Sequence, residues 1–217
     1  MLLEGIFSAI TTPFYPDGAV YLRKLEHNVE RYSRSPVAGM VVLGSTGEAV
    51  LLSLEEQHEI LATAVAAAAP EKVMIAGVGQ ESVRHTLTLA EDAARLQYDA
   101  VLVRTPHFYR PQMSPQAMLT YYRAVADASP LPVLLYSVPP FTNYELPSEV
   151  VGELAKHPNI IGLKDSSGRP ERIAEVVSAT RGNKATVEVT TTFAAVTSRM
   201  RNAAASLDRA PNRACRR

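Results

Sequence analysis

Asn159-Ile160-Ile161-Gly162-Leu163-Lys164-Asp165-Ser166-Ser167-Gly168 is the stretch on which the reading of this chain turns. Ile160, Ile161 and Leu163 form a short apolar run of the kind a buried parallel strand shows. Lys164 follows directly, and Asp165 to Gly168 supply the residues of a turn and a helix start. An ammonium at the end of a buried strand is costly unless it has a partner or a use. Desolvation favours the neutral amine, whose lone pair can attack a carbonyl. The chain has five lysines, and Lys24, Lys72, Lys156 and Lys184 all sit among charged, polar or loop-like neighbours. Lys164 is the exception. The competing reading is a strand-end lysine paired with Asp165 or extended to water.

Outward from this stretch, apolar runs of strand length alternate with longer amphipathic segments. Strands are expected at 5–10, 38–43, 73–78, 100–103, 132–136 and 160–163, with helices at 21–32, 53–69, 82–96, 114–128, 147–156 and 170–180. Ser53 with Glu56 three residues later has capping-box spacing, and Ser114-Pro115 pairs an N-cap with a first-turn proline. Six strand–loop–helix units in a row call for a parallel sheet with helical crossovers. An open doubly wound sheet and a (β/α)8 TIM barrel both accept that pattern. No G-x-G-x-x-G opens a helix, since Gly77-Val78-Gly79 lacks the third glycine. The unusual residues instead follow different strands: Ser45 and Thr46 the second, Tyr109 the fourth, Tyr136 the fifth and Lys164 the sixth. Strand ends converge on one face in a barrel, so an α/β barrel is the expected fold.

A full barrel takes about 250 residues, and this chain has 217. A seventh strand is expected over 185–192, where valines and threonines alternate, and a helix over 193–200. From Arg201 the composition turns to Arg, Ala and Asn, with no eighth strand in view. The expectation is an incomplete barrel of six to seven units over 1–200 and a basic tail, disordered or out of frame, over 201–217. The composition break near Met200 suggests a truncated or frameshifted product.

Lysines plus arginines and acids balance at 22 each, with the basic excess in the tail and a mildly acidic body. That distribution gives no reason to expect a nucleic-acid partner. No apolar run is long enough to span a bilayer, and the N-terminus lacks the pattern of a signal peptide. Cys215 alone supports neither a disulfide framework nor a cysteine metal site. A cytoplasmic location with no membrane association is expected.

Gly44-Ser45-Thr46-Gly47-Glu48 joins a strand to a helix, and its hydroxyls and N–H groups can hold a carboxylate or phosphate. It reads equally as an ordinary turn. Tyr136, at a strand end, can relay protons beside an amine nucleophile, or be a half-buried aromatic with its hydroxyl in water. His107 has no second histidine or carboxylate at metal-ligand spacing, so neither a metal nor another cofactor is expected.

Gly44 to Glu48, Tyr136-Ser137-Val138-Pro139 and Gly162 to Gly168, with Thr11-Thr12-Pro13-Phe14 and Thr105-Pro106, together resemble the dihydrodipicolinate synthase/N-acetylneuraminate lyase family. The resemblance runs from about residue 4 to 180. It implies a class I aldolase on a TIM barrel, commonly a homotetramer. By the family pattern Lys164 forms a Schiff base with pyruvate or a similar 2-oxo acid, and Tyr136 shuttles protons. Ser45, Thr46 and Gly47 bind the 2-oxo acid, and Tyr109 is a possible loop contributor. In dihydrodipicolinate synthases an arginine follows the Tyr-x-Val-Pro motif, whereas here the loop reads Pro140-Phe141-Thr142-Asn143. The Tyr-Ser-Val-Pro and Tyr109-Arg110-Pro111-Gln112-Met113 stretches look more like the 4-hydroxy-2-oxoglutarate aldolase branch. The first expectation is therefore retro-aldol cleavage of a 4-hydroxy-2-oxo acid. The alternatives are dihydrodipicolinate-synthase-type condensation of pyruvate with an aldehyde, an inactive fragment, and a phosphate-binding module built on the Ser45/Thr46 loop.

Overall fold

The computed structural model describes residues 3–181 and the backbone of Glu188–Thr191 and Ala194–Val196. Its strands are β1 (Phe7–Ala9), β2 (Gly39–Val42), β3 (Val73–Gly77), β4 (Ala100–Arg104), β5 (Val133–Ser137), β6 (Ile160–Asp165), β7 (Glu188–Thr191) and β8 (Ala194–Val196). Between them run α1 (Leu22–Ser33), α2 (Leu54–Ala67), α3 (Val83–Arg95), α4 (Pro115–Ala128), α5 (Pro139–Thr142), α6 (Ser148–Leu154) and α7 (Pro170–Ala179). The strands pair in chain order, parallel from β1 through β7. This is the expected incomplete TIM barrel.

Each start signal does its work locally. Ser53 Oγ accepts from the Glu56 N–H at 3.2 Å, and Glu56 Oε2 accepts from the Ser53 N–H at 2.8 Å, closing the capping box of α2. Ser82 and Ser114 cap α3 and α4 through the N–H groups of His85 and Ala117. Ser53→Ala removes one of the two capping bonds and is expected to cost about 1 kcal/mol, read as a lower urea midpoint at unchanged slope.

Alternation along the strands sorts side chains into two layers. Val101, Val103, Val133, Leu135, Ile160 and Leu163 pack against the helices. Phe7, Val41, Ile75, Ala100, Leu102, Leu134 and Tyr136 meet on the inner side, which requires the sheet to curl. Gly77 permits one tight approach: a Cβ there would stand 2.1 Å from the Leu43 carbonyl oxygen.

Three expectations change. Residues 139–142 of the loop after β5 form a short helix that the sequence did not suggest. Over 193–200, where a helix is expected, the described backbone at Ala194–Val196 is a strand antiparallel to β7. An eighth strand therefore exists, contrary to expectation. It makes a hairpin with β7, and among the described residues no pairing joins β8 to β1. Alanine favours a helix over a strand, so at Ala194–Val196 cross-strand pairing with the edge of β7 outweighs local preference. The tail over 201–217, with Cys215, lies outside the described residues. Among the described residues, no helix is long and apolar enough to cross a membrane.

Candidate active site

The register of the sheet aligns three strand-end residues. Arg104 on β4 is the Cα partner of Tyr136 on β5, and Tyr136 is the partner of Lys164 on β6. The second pairing depends on an irregularity. Val133 faces Ile160, but Leu134 faces Gly162, so β6 carries one extra residue at Ile161. Such a bulge resets the alternation. Ile160 and Leu163 both face the helices, and Lys164 turns inward beside Tyr136.

Lys164 is 7% exposed, and its Nζ lies 3.8 Å from the centroid of the Tyr136 ring. A cation over an aromatic face is attracted by the ring quadrupole, more strongly when desolvated. The Tyr136 hydroxyl stands 2.8 Å from Ser45 Oγ. Burial works to raise the Tyr136 phenol, but the Lys164 ammonium and hydrogen bonds, that with Ser45 among them, outweigh it and hold its pKa below the ordinary value. Ser45→Ala removes one of those bonds and is expected to move the Tyr136 titration upward. Ultraviolet titration of the phenol measures it.

Asp165 takes no part in this contact. Pointing the other way along β6, it accepts from the Ser167 N–H at 2.8 Å and faces Arg172 of α7 at 3.5 Å. Arg172 is buried, donates to the Leu146 carbonyl and to Ser148, and lies 3.6 Å from Glu175. It ties α7 to the end of β6 and to the loop after β5. The Lys164–Asp165 pair, weighed above as the competing reading, does not form.

The loop after β2 is a 3-10 turn, Ser45–Gly47, held between two non-glycine residues at positive φ, Leu43 at 57° and Glu48 at 55°. Asn143, at 49°, ends α5 behind Tyr136 in the same way. Left-handed backbone is uncommon at such residues and clusters where surrounding structure holds a functional loop. Gly47 is buried, and its carbonyl accepts from the Thr12 hydroxyl at 2.7 Å, which anchors the turn to the conspicuous Thr11-Thr12-Pro13 segment.

A cavity of about 290 Å³ adjoins this row, with Ser45, Tyr136, Arg104, Val138 and Phe141 in its wall; neither Lys164 nor Gly47 belongs to that wall. Not every expected residue joins it. Thr46 is exposed and makes no described hydrogen bond, and Tyr109 is 66% exposed, its ring edge-on to Phe108 and away from the cavity wall. Arg104, like Gln80, is a polar wall residue outside the sequence expectations. Its signal was the same as that of Lys164: a charged residue closing an apolar strand, here Ala100-Val101-Leu102-Val103-Arg104. Beside it, the Glu81 carboxylate accepts from Arg104 Nη1 at 2.9 Å and from the His107 and Phe108 N–H groups at 3.0 Å. Burial works to raise the Glu81 carboxyl, but these donors outweigh it and hold it below its ordinary value.

Known proteins carry the same arrangement of sequence. The model of the "Dihydrodipicolinate synthetase family" matches residues 2–187. A 4-hydroxy-tetrahydrodipicolinate synthase of Xanthomonas campestris pv. campestris is 40% identical over 178 residues, covering 82% of this chain and 58% of the relative. One of Haloarcula marismortui is 35% identical, covering 82% and 57%. Among solved structures, dihydrodipicolinate synthase from Acinetobacter baumannii, complexed with pyruvate, superposes with a TM-score of 0.80 at 33% identity, covering 87% of this chain and 63% of that one. The chain thus spans about three fifths of the length of these relatives. With 186 consecutive residues matched by the family model, over a TIM-barrel core, this chain belongs to the dihydrodipicolinate synthetase family.

Proposed function

We propose that the site forms a Schiff base between Lys164 and pyruvate or a similar 2-oxo acid, and uses the resulting enamine to make a carbon–carbon bond with an aldehyde. The observation that carries this reading is the chain of contacts Lys164–Tyr136–Ser45: an inward amine 3.8 Å from the tyrosine ring, whose hydroxyl stands 2.8 Å from Ser45. The neutral Lys164 amine adds to the keto carbon, and the carbinolamine loses water to give an iminium. Withdrawal of electrons by that iminium lets a proton leave the adjacent carbon, and the enamine then attacks the aldehyde, whose oxygen takes up a proton. Water releases the product and returns the amine. Tyr136, with Ser45 behind it, carries protons to and from these oxygens, a role suited to a phenol held below its usual pKa. Ser45 and the backbone of the 45–47 turn receive the 2-oxo acid carboxylate, with Thr46 beside them at the surface.

Condensation is the better supported direction, because the curated relatives are named as synthases. Retro-aldol cleavage, the first expectation from the loop motifs, is the same path reversed and retains one supporting feature, a loop after Tyr136-Ser137-Val138-Pro139 that reads Pro140-Phe141-Thr142-Asn143 and holds no arginine. Self-association is part of the proposal, supported by exposed Val50, Leu51, Phe108, Tyr109 and Phe141 on the loops after β2, β4 and β5. Incubation with pyruvate and borohydride, followed by peptide mapping, tests the chemistry. An adduct on Lys164 is expected, and none on that peptide would sink the proposal.

A further inference from the structure

Arg104 occupies the row of the proposed chemistry without a part in it so far. It pairs in register with Tyr136, which pairs with Lys164. Strands lie about 4.8 Å apart, so the Arg104 and Lys164 backbones stand about 10 Å from each other, with Tyr136 between them. Ala100 and Leu102, at alternate positions before it, face the inner core, while Val101 and Val103 face the helices, so Arg104 points inward too. Its side chain is 16% exposed and forms part of the cavity wall.

The guanidinium is held by one edge. Its described hydrogen bonds all leave through Nη1: to Glu81 Oε1 at 2.9 Å, to the Thr105 carbonyl at 3.3 Å, and with His107 Nδ1 at 2.8 Å. Glu81 is itself anchored by two backbone N–H groups, so the clamp is rigid rather than a chance surface pair. Among the described residues, Nε and Nη2 have no protein partner, and a planar guanidinium restrained on one side offers a fork to a carboxylate on the other. Gly79 makes room for the side chain: a Cβ there would lie 2.7 Å from Arg104 Cγ and 2.5 Å from its backbone nitrogen. Val138 and Phe141, in the wall of the same cavity, carry only apolar side chains.

We propose that Arg104 is a specificity-determining residue that binds the carboxylate of the second substrate, a short aldehyde bearing an acid group, while the first is held on Lys164. This rests on the Schiff-base reading above. The spacing suits it: an acceptor with its aldehyde carbon over Tyr136 places a carboxylate one to three carbons away within reach of Arg104. Arg104 takes no part in the bond changes. It orients the aldehyde toward the enamine carbon and neutralises the remote acid group, which would otherwise lose its hydration for nothing.

The test uses the full chain, Arg104→Ala and Arg104→Lys, at saturating pyruvate. The acceptors are glyoxylate and succinic semialdehyde, against uncharged glyceraldehyde, with loss of aldehyde as readout. The expected result for Arg104→Ala is a fall of about 10- to 100-fold in the preference for carboxylate-bearing aldehydes over glyceraldehyde, with the pyruvate adduct still formed. Arg104→Lys, which keeps the charge but not the fork, should show a smaller fall, and it decides the matter if the alanine variant does not fold. Equal losses for charged and neutral aldehydes overturn the inference, as does a raised pyruvate requirement for adduct formation, which would place Arg104 on the 2-oxo acid instead. Failure of a chain that forms the adduct to consume either carboxylate-bearing aldehyde also overturns it. Absence of the adduct in the natural chain removes the Schiff-base reading and this inference together, whereas an adduct without discrimination removes this inference alone.

Discussion

Lys164→Arg and Lys164→Met are both expected to abolish the borohydride-trapped pyruvate adduct. The two substitutions fail for different reasons. Arginine keeps a cation against the Tyr136 ring, but its guanidinium stays protonated and cannot act as an amine nucleophile. Methionine fills a similar volume and removes the charge altogether. The two should therefore separate in a second measurement. The Lys164 charge is the largest influence lowering the Tyr136 phenol. Lys164→Met leaves burial unopposed by that charge, so the phenol should titrate at higher pH than in the natural chain, while Lys164→Arg should hold it nearer the natural value. Ultraviolet difference titration of the phenolate reads this without any turnover. The adduct itself should map to Lys164 in the natural chain: Lys72 is bound to the Ser35 and Val37 carbonyls, and Lys156 is paired with Glu153. An adduct retained in either variant would remove Lys164 from the chemistry.

Tyr136→Phe keeps the ring that Lys164 lies against and deletes only the hydroxyl. General acid–base catalysis by a positioned side chain contributes about 10²- to 10⁴-fold, and kcat is expected to fall by that range. The adduct should still form, more slowly, because the nucleophile is intact. The pH profile adds a sign. With its pKa below the ordinary phenol value, Tyr136 loses its proton at a lower pH than a free tyrosine would. An alkaline limb of the natural rate should therefore lie below the free-phenol range and should be absent from Tyr136→Phe. Borohydride trapping rates and the pH dependence of pyruvate consumption measure both. A phenylalanine variant with natural kcat would make the hydroxyl a spectator.

Much of the site could be read locally. Lys164 stood out because an ammonium closes an apolar run, and Tyr136 and Ser45 because they end neighbouring strands. All three meet in the structure. Tyr109 and Thr46 were chosen on the same basis and lie apart from the cavity wall, since loop residues beyond a strand end are placed by loop geometry that no periodicity encodes. Arg104 carries the same local signal as Lys164, a charge closing an apolar strand, but only the register with Tyr136 brings it to the site.

By itself the sequence determined the order of the first six strands and of the long helices that follow them, the serine caps, and the parallel α/β class. These follow from period-2 and period-3.6 patterns and from side chains bonding within a few residues of their own backbone, as Ser53 and Glu56 do. The tertiary structure alone decided which way Lys164 faces. Strict alternation from Ile160, which packs against the helices, would send Lys164 to the helix side as well. The extra residue at Ile161 turns it inward, and Asp165 outward to Arg172. A bulge exists only relative to a partner strand. Its register is set by the side chains of β5, far off in the chain, and no local pattern in Ile160 to Lys164 contains it.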